Sequence, residues 1–338
     1  MDSTSATCDG VDHISDLNDD LVLRILCLLP TTPDAARTSL LSRRWRDLWT
    51  RGPVLRLSDF GCSRGNRDNL ARYNDFVHNV LARRAYGDAS VDTLQVRTMR
   101  WPGNSRAQVW IRRAMRLVVG SLDFDLWIPW KNTWSMPKQL ADKLQPKLPL
   151  PTSTRAVRMT LRSQYATLLI PRTVDFQALT DLTLCAFEFT DGHGDRLCSL
   201  LSSSSCCPRL RNLKLSHLGL EELKLNCRAL EMLHLESLTS MSLLDVNAPR
   251  LSSLHAETKF MYQQISATPP SSITIRAPAL KMVNASLELG NYQLGIQTCT
   301  IQLLQESHPI DGHILSLCVP EVRNLMCFLP PYGNTAFS

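Results

Sequence analysis

The sequence predicts an α+β fold, with a three-helix module near the N-terminus followed by an irregular α/β solenoid of short repeats. Three observations carry this expectation. Residues 12 to 50 contain three helix-start signals separated by breakers. A Leu-x-x-Leu-x-Leu phrase recurs downstream at spacings of 20 and 21 residues, and the two halves of the chain differ in charge. With 338 residues, 44% of them hydrophobic, the chain has material for about two packed domains.

In the module, Asn18 offers a side-chain oxygen to a helix N-terminus. Asp19 and Asp20 follow in the first turn, where carboxylates favour the positive end of the helix dipole. The first helix runs to about Leu29 and stops at Pro30. Thr32-Pro33 repeats the start signal for a second short helix, Asp34 to Leu41. Ser42 is placed to cap a third, Arg43 to Trp49, which Gly52-Pro53 ends. In the first helix Leu21, Val22, Leu23, Ile25, Leu26, Leu28 and Leu29 leave almost no polar face, so it must be buried nearly all round. A unit of about 40 residues buries too little surface to manage this alone. One face must meet the rest of the chain or a separate protein.

The run Asp12-His13-Ile14-Ser15-Asp16-Leu17-Asn18-Asp19-Asp20-Leu21-Val22-Leu23-Arg24-Ile25-Leu26-Cys27-Leu28-Leu29-Pro30, followed by Ala35 to Leu41 and the Ser42-Arg43-Arg44-Trp45-Arg46-Asp47-Leu48-Trp49 ending, resembles an F-box. Its form is the one common among plant F-box/leucine-rich-repeat proteins. Asn18 stands where the family usually has Pro; Asn caps a helix as Pro starts one. The resemblance implies docking on the Skp-type adaptor of a cullin-based ubiquitin ligase. The positions matching the family's adaptor-facing motif are Leu17, Leu21, Ile25, Leu26, Leu29, Leu40, Ser42, Trp45 and Trp49.

The recurring phrase is clearest from 176 to 260. It reads Ala178-Leu179-Thr180-Asp181-Leu182-Thr183-Leu184, then Pro208-Arg209-Leu210-Arg211-Asn212-Leu213-Lys214-Leu215, Arg228-Ala229-Leu230-Glu231-Met232-Leu233-His234-Leu235 and Pro249-Arg250-Leu251-Ser252-Ser253-Leu254. A looser copy stands at Pro278 to Met282, and Leu220 to Leu225 is a shorter echo. This is the pattern of leucine-rich repeats, in which each unit supplies one short strand and needs its neighbours to bury its apolar side. Upstream, Leu70, Tyr73, Val77, Val80 and Leu81 keep helical spacing, Trp110 to Val119 reads as a helix, and Leu122, Phe124 and Leu126 alternate as in a strand. The expected organisation is therefore 12–50 F-box, 51–89 helical joining region and 90–338 solenoid. Trp127, Trp130 and Trp134 are expected to pack on the solenoid flank, and Phe328 to Ser338 does not resemble a capping repeat.

Within a repeat strand the Leu residues face in, so the alternating residues face out. These are Asn212, Lys214 and Ser216; Glu222, Lys224 and Asn226; Met232, His234 and Glu236; and Ser253 and His255. From them Lys214, Ser216, Lys224, Asn226, His234, Glu236 and His255 are the candidates for binding a target protein.

Composition narrows the remaining classes. The densest apolar run, Leu21 to Leu29, is nine residues long and contains Arg24, whereas a membrane span needs about 20. The first twenty residues carry Asp but no Lys or Arg, unlike a signal or transit peptide, so the expected address is cytoplasm or nucleus and no membrane is expected. The 11 cysteines include no Cys-x-x-Cys, so a zinc site has no support and most are expected to be small buried hydrophobes. Residues 1–175 hold 26 Lys or Arg against 17 Asp or Glu, and residues 176–338 hold 11 against 14. The basic segment Arg37 to Arg51, with Trp45 and Trp49, has the residue types that grip phosphates and stack bases. It reads better as a helix with Trp45, Leu48 and Trp49 as its apolar stripe, so nucleic acid is not the expected partner.

Phosphate-loop, dinucleotide and zincin motifs are absent, and Asp191, His193 and Asp195 are expected in a loop. Neither catalytic, cofactor-binding nor metal-binding residues are expected. The sequence points to a non-catalytic subunit of an SCF-type ubiquitin ligase that holds a target protein. The alternative is a leucine-rich-repeat scaffold or nucleic-acid-associated protein outside any ligase.

Overall fold

Alternating leucines resolve into strands because one side of each five-residue run is apolar and stacking on a neighbour hides it. A computed structural model describes residues 16–59, 67–86, 90–127, 145–190, 192–238, 243–261, 272–277, 279, 282–290, 301–303 and 325–327.

The N-terminal module comprises α1 (Asp19–Leu28), α2 (Thr32–Arg37) and α3 (Arg43–Leu48), with one-turn 3-10 segments at Thr38–Leu40 and Trp49–Arg51. Asn18 caps α1, its side-chain oxygen accepting from the Leu21 N–H at 2.8 Å. At α2 the cap is Thr31 instead of Thr32, which puts Pro33 in the first turn. Ser42 precedes α3 without a side-chain capping bond. Arg44 ties α3 back to α1 through Asp19, at 2.6 Å, and the Leu17 carbonyl.

The strands are β1 (Val54–Ser58), β2 (Val91–Thr98), β3 (Val118–Leu126), β4 (Lys147–Pro149), β5 (Arg158–Leu169), β6 (Asp181–Glu188), β7 (Asn212–Ser216), β8 (Glu222–Asn226), β9 (Met232–Glu236), β10 (Leu243–Asn247), β11 (Ser253–Met261), β12 (Ser272–Arg276), β13 (Met282–Gly290), β14 (Ile301–Leu303) and β15 (Leu325–Cys327). Three more helices intervene: α4 (Arg67–Ala85), α5 (Asn104–Leu117) and α6 (His193–Ser202). A long parallel sheet runs β1-β2-β3-β5-β6-β7-β9-β11-β13-β15, with β4 beside β5, and a second parallel sheet runs β14-β12-β10-β8. The joining region expected to be helical, 51–89, thus also supplies β1, in register with β2.

Register aligns the apolar residues. Leu55, Leu94, Leu122, Met159, Leu182, Leu213, Leu233, Leu254, Val283 and Leu325 are successive partners across the long sheet. Those from Leu55 to Leu254 are buried, and each buried Leu contributes roughly 1.5–3 kcal/mol. Repeat length decides what returns the chain. Leu55 to Leu94 is 39 residues and Leu94 to Leu122 is 28, and α4 and α5 fill these intervals; Leu213 to Leu233 and Leu233 to Leu254 are 20 and 21, which leave room only for β8 and β10. Leu220 to Leu225 therefore belongs to the second sheet.

Three strands turn at the same repeat position. Ala186, His217 and Ser237 follow the register partners Cys185, Ser216 and Glu236, and all have left-handed backbones, at φ 58°, 53° and 49°. That turn sends Phe187, Leu218 and Leu238 inward, where they are fully buried. It costs about 1–2 kcal/mol per residue without a glycine, a cost the buried side chains offset.

Candidate docking surfaces

The module's own core is small and closed: Val22, Leu26, Ala35, Trp45 and Leu48. Because α1 is apolar all round, the residues left over point to solvent. Leu21 and Ile25 are exposed, Leu28 and Leu40 are 83% and 87% exposed, and Leu41 is exposed beside them in sequence. Leu21, Ile25 and Leu28 form one stripe of α1 at i, i+4 and i+7.

The nine sequence-predicted adaptor residues divide by position. Leu21, Ile25, Leu40 and Ser42 are accessible, and Leu17 and Leu29 are half-buried against the module core. Leu26 and Trp45 face inward, so they hold the helices together and have no surface left for a partner. Trp49 packs on both the module core and the sheet core, with its ring stacked on Phe76 at 6.3 Å. Leu28 and Leu41 were missing from the sequence-derived set; the signal for them was the absence of a polar face on α1 and the doubled Leu40-Leu41.

The module covers the open edge of the long sheet. On β1 the Arg56 backbone N–H donates to Thr32 Oγ1 at 2.8 Å, and its guanidinium donates to the Cys27 carbonyl at 2.7 Å and the Leu29 carbonyl at 3.4 Å. From α4, buried Arg84 donates to the Thr50 carbonyl and, at 2.7 Å, to that of Gly52. The Arg56 N–H, an edge donor of β1, is thereby paired, and the two arginines tie the module to the sheet region.

The second surface is the outward face of the long sheet. Lys214, His234 and His255 are register partners on β7, β9 and β11. Lys214 pairs with Glu236 at 3.0 Å, His234 Nε2 lies 3.3 Å from Glu236, and the His234 and His255 rings stack at 4.2 Å. Burial, then the Lys214 charge, lower the pKa of His234; the Lys214 hydrogen bond lowers that of Glu236. Exposed Met232 stands on the same face. Further along, Asp123 sits between Arg97 at 3.7 Å and Arg162 at 3.5 Å and accepts from Gln95 at 2.9 Å.

Not all the target-binding candidates share this face. Ser216 is 2% exposed, because the left-handed turn at His217 draws the strand end inward. Lys224 and Asn226 lie on β8 of the other sheet; Lys224 pairs with Glu222, which raises its pKa, and the Asn226 backbone N–H donates to Ser202 Oγ at 2.9 Å. Thus Lys214, His234, Glu236 and His255 are brought together, and Lys224 and Asn226 are set apart.

Nothing resembling a catalytic centre assembles among the described residues. His193 opens α6 instead of lying in a loop, and its Nδ1 accepts the Ile170 N–H at 2.9 Å; Asp191 lies outside the described residues. No described group of three His, Cys, Asp or Glu is placed to hold a metal ion, and no described helix is long and apolar enough to cross a membrane. Burial pushes the Cys207 and Cys227 thiols up to about 12, which makes them inert hydrophobes. A Gly-x-Ser-x-Gly spacing does occur at Gly61-Cys62-Ser63-Arg64-Gly65, outside the described residues. Trp127 is exposed, and Trp130, Trp134 and Phe328–Ser338 lie outside the described residues.

Comparison with known proteins agrees with this geometry. The F-box domain model matches residues 14–57, and the model described as FBD-associated F-box protein At5g56370, LRR repeats, matches residues 108–326. Similar proteins of Arabidopsis thaliana include the F-box/FBD/LRR-repeat protein At4g03220, 28% identical over 80% of this chain and 51% of its own length. Others are the FBD-associated F-box protein At5g50270, 26% identical over 95% and 69%, and the FBD-associated F-box protein At5g56370, 37% identical over 34% and 26%. The chain spans about half the length of the first of these. No solved structure matches it.

Proposed function

The chain belongs to the plant F-box/leucine-rich-repeat family, and from that premise we propose that it is the non-catalytic substrate-recognition subunit of an SCF-type ubiquitin ligase. In this reading the module docks on a Skp-type adaptor and through it a cullin. The parallel sheets form a leucine-rich-repeat solenoid whose outward face holds a target protein, in the cytoplasm or nucleus. The observation that carries the reading is the exposed set Leu21, Ile25, Leu28, Leu40 and Leu41 on a module whose own core is already complete. Apolar side chains left in water on a finished core are the signature of a surface meant to be covered.

The mechanism is positional. A subunit that holds a target lysine near a charged conjugating enzyme raises its effective concentration, and the reaction accelerates without any group here forming a covalent bond. Arg56, Arg84 and Trp49 serve that role by fixing the adaptor-side module against the first strand of the sheet.

Co-purification with a Skp-type adaptor tests this. The intact chain is expected to bind stoichiometrically, and Leu21→Asp/Ile25→Asp is expected to abolish binding while leaving the module folded, because both side chains are already about two-fifths exposed and lie outside the module core. Trp45→Ala is expected to abolish it by unfolding the module. An intact, folded chain that leaves the adaptor unbound would rule the reading out. A second reading rests on α5, which carries Arg106, Arg112, Arg113 and Arg116 and no acidic residue. It makes the chain a scaffold that binds nucleic acid, and steeply salt-dependent binding of an oligonucleotide would favour it.

A further inference from the structure

Residues 1–130 contain no lysine. That span holds 18 of the chain's 37 Lys and Arg, every one of them Arg, whereas the other 19 include all eight lysines, from Lys131 to Lys281. Both cations serve equally well at a solvated surface, so the division needs a cause. Some of these arginines do what lysine cannot. Arg56 and Arg84 each reach two backbone carbonyls at once with a planar fork. Arg72, Arg112 and Arg116 do not; they are exposed and make no side-chain ion pair or hydrogen bond among the described residues. At such positions charge and helix propensity are satisfied by either residue.

What separates them is reactivity. An ε-amine loses its proton often enough to attack a thioester, whereas a guanidinium stays charged and never presents a free electron pair. In ubiquitin transfer the Lys Nζ attacks the carbonyl carbon of a ubiquitin thioester held on a conjugating enzyme. The C–S bond breaks, an isopeptide C–N bond forms, and the amine proton leaves with the enzyme's thiol. Arginine is inert in this step.

Resting on the ligase reading above, we propose that residues 1–130 form an acceptor-free zone. It lets ubiquitin pass over the adaptor-side half of the subunit, and self-modification falls on the repeat half, where among the lysines with described side chains, Lys147, Lys214 and Lys224, it falls first on Lys147. The geometry sets the order. Lys214 and Lys224 are engaged in ion pairs with Glu236 and Glu222, which hold their side chains against the sheet, whereas Lys147 on β4 is exposed and makes no ion pair among the described residues. The zone covers the module and the first three strands. β5, which β4 adjoins, is the fourth strand from the module's edge, about 14 Å along the sheet at ~4.8 Å per strand.

The test uses the full chain in a reconstituted complex of adaptor, cullin, RING subunit, charged conjugating enzyme and ubiquitin, with modified lysines mapped by mass spectrometry. In the wild type, Lys147→Arg is expected to lower self-modification, and Lys214→Arg/Lys224→Arg to leave it unchanged. The combined Arg51→Lys, Arg72→Lys, Arg112→Lys and Arg116→Lys variant keeps every charge. It is expected to gain ubiquitin at the installed lysines and to be modified about threefold faster or more, with unchanged adaptor binding and melting. An active, adaptor-bound variant with no ubiquitin on any of the four would overturn the proposal. The missing lysines would then be a compositional bias, like the absence of glutamate before Glu188. Loss of Lys147→Arg sensitivity alone would overturn the assignment of the first acceptor. A wild-type chain that does not bind adaptor in the preceding pull-down would remove the ligase reading itself, before any ubiquitin is added.

Discussion

The N-terminal module and the long sheet solve the burial problem in opposite ways. The sheet repeats itself: each strand hides its leucines against the next, and the core runs without a break from Leu55 to Ala277. The module has helices of ten, six and six residues and closes a core of five side chains, leaving α1 with apolar residues it cannot cover. Stacking scales with the number of copies, whereas a three-helix unit has a fixed and small interior. The same residue type therefore carries different meanings in the two parts. Leu233 in the sheet is packing, and Leu28 on α1 is apolar surface that the module leaves uncovered.

The sharpest way to break this comparison is to remove a side chain that several repeats share. Phe124 on β3 is fully buried between register partners Val96 and Leu161. Phe124→Ala is expected to cost about 3–5 kcal/mol in urea unfolding followed by far-UV circular dichroism. Next comes the joint. Arg84→Ala leaves the Thr50 and Gly52 carbonyls without their donor and opens the contact between α4 and the module, for about 2–3 kcal/mol. Limited proteolysis is expected to cut the module of this variant first, while the sheet resists; equal resistance of both parts would mean that the clasp contributes nothing. Within the module alone, Asn18→Ala removes the bond to the Leu21 N–H at a cost of about 1 kcal/mol. Hydrogen exchange is expected to quicken along α1 and remain unchanged in the strands.

Much of the contrast was legible in the residues. The Asn18 cap, the apolar girdle of α1 and the register set by Leu213, Leu233 and Leu254 follow from local chemistry and spacing. Other features depend on contacts made far along the chain. The five-residue alternation Val54-Leu55-Arg56-Leu57-Ser58 is too short to announce a strand without β2 beside it. Leu220 to Leu225 has the same alternation as its neighbours, and its place in the second sheet is decided by repeat length and by α6 packing on β8. Ser216 looked outward by parity, but no glycine or asparagine marks the left-handed turn after it. Trp45 and Leu26 matched a docking motif by position, although a helix that must close its own core has to spend some of that motif inward.

The smallest predicted effect concerns the end of β6, where sheet geometry imposes a cost that the module does not share. Glu188 follows the left-handed Ala186 and buried Phe187, and burial pushes its carboxyl above the usual range. A carboxyl whose folded pKa lies above its unfolded one prefers, in the folded chain, to hold its proton. Its contribution is therefore fully favourable below the unfolded value and is lost as pH rises through the folded one. At pH 7 the ionised group is a burden on the fold, and Glu188→Gln removes it. The substitution is expected to stabilise the sheet by less than about 1 kcal/mol at pH 7, and the gain is expected to vanish by about pH 3, well below the unfolded value, where both states carry the proton. A gain that persists at about pH 3 would show that shape or packing at β6, and not charge, sets the cost; no gain at pH 7 would show that solvent reaches the carboxylate despite its place at the strand end.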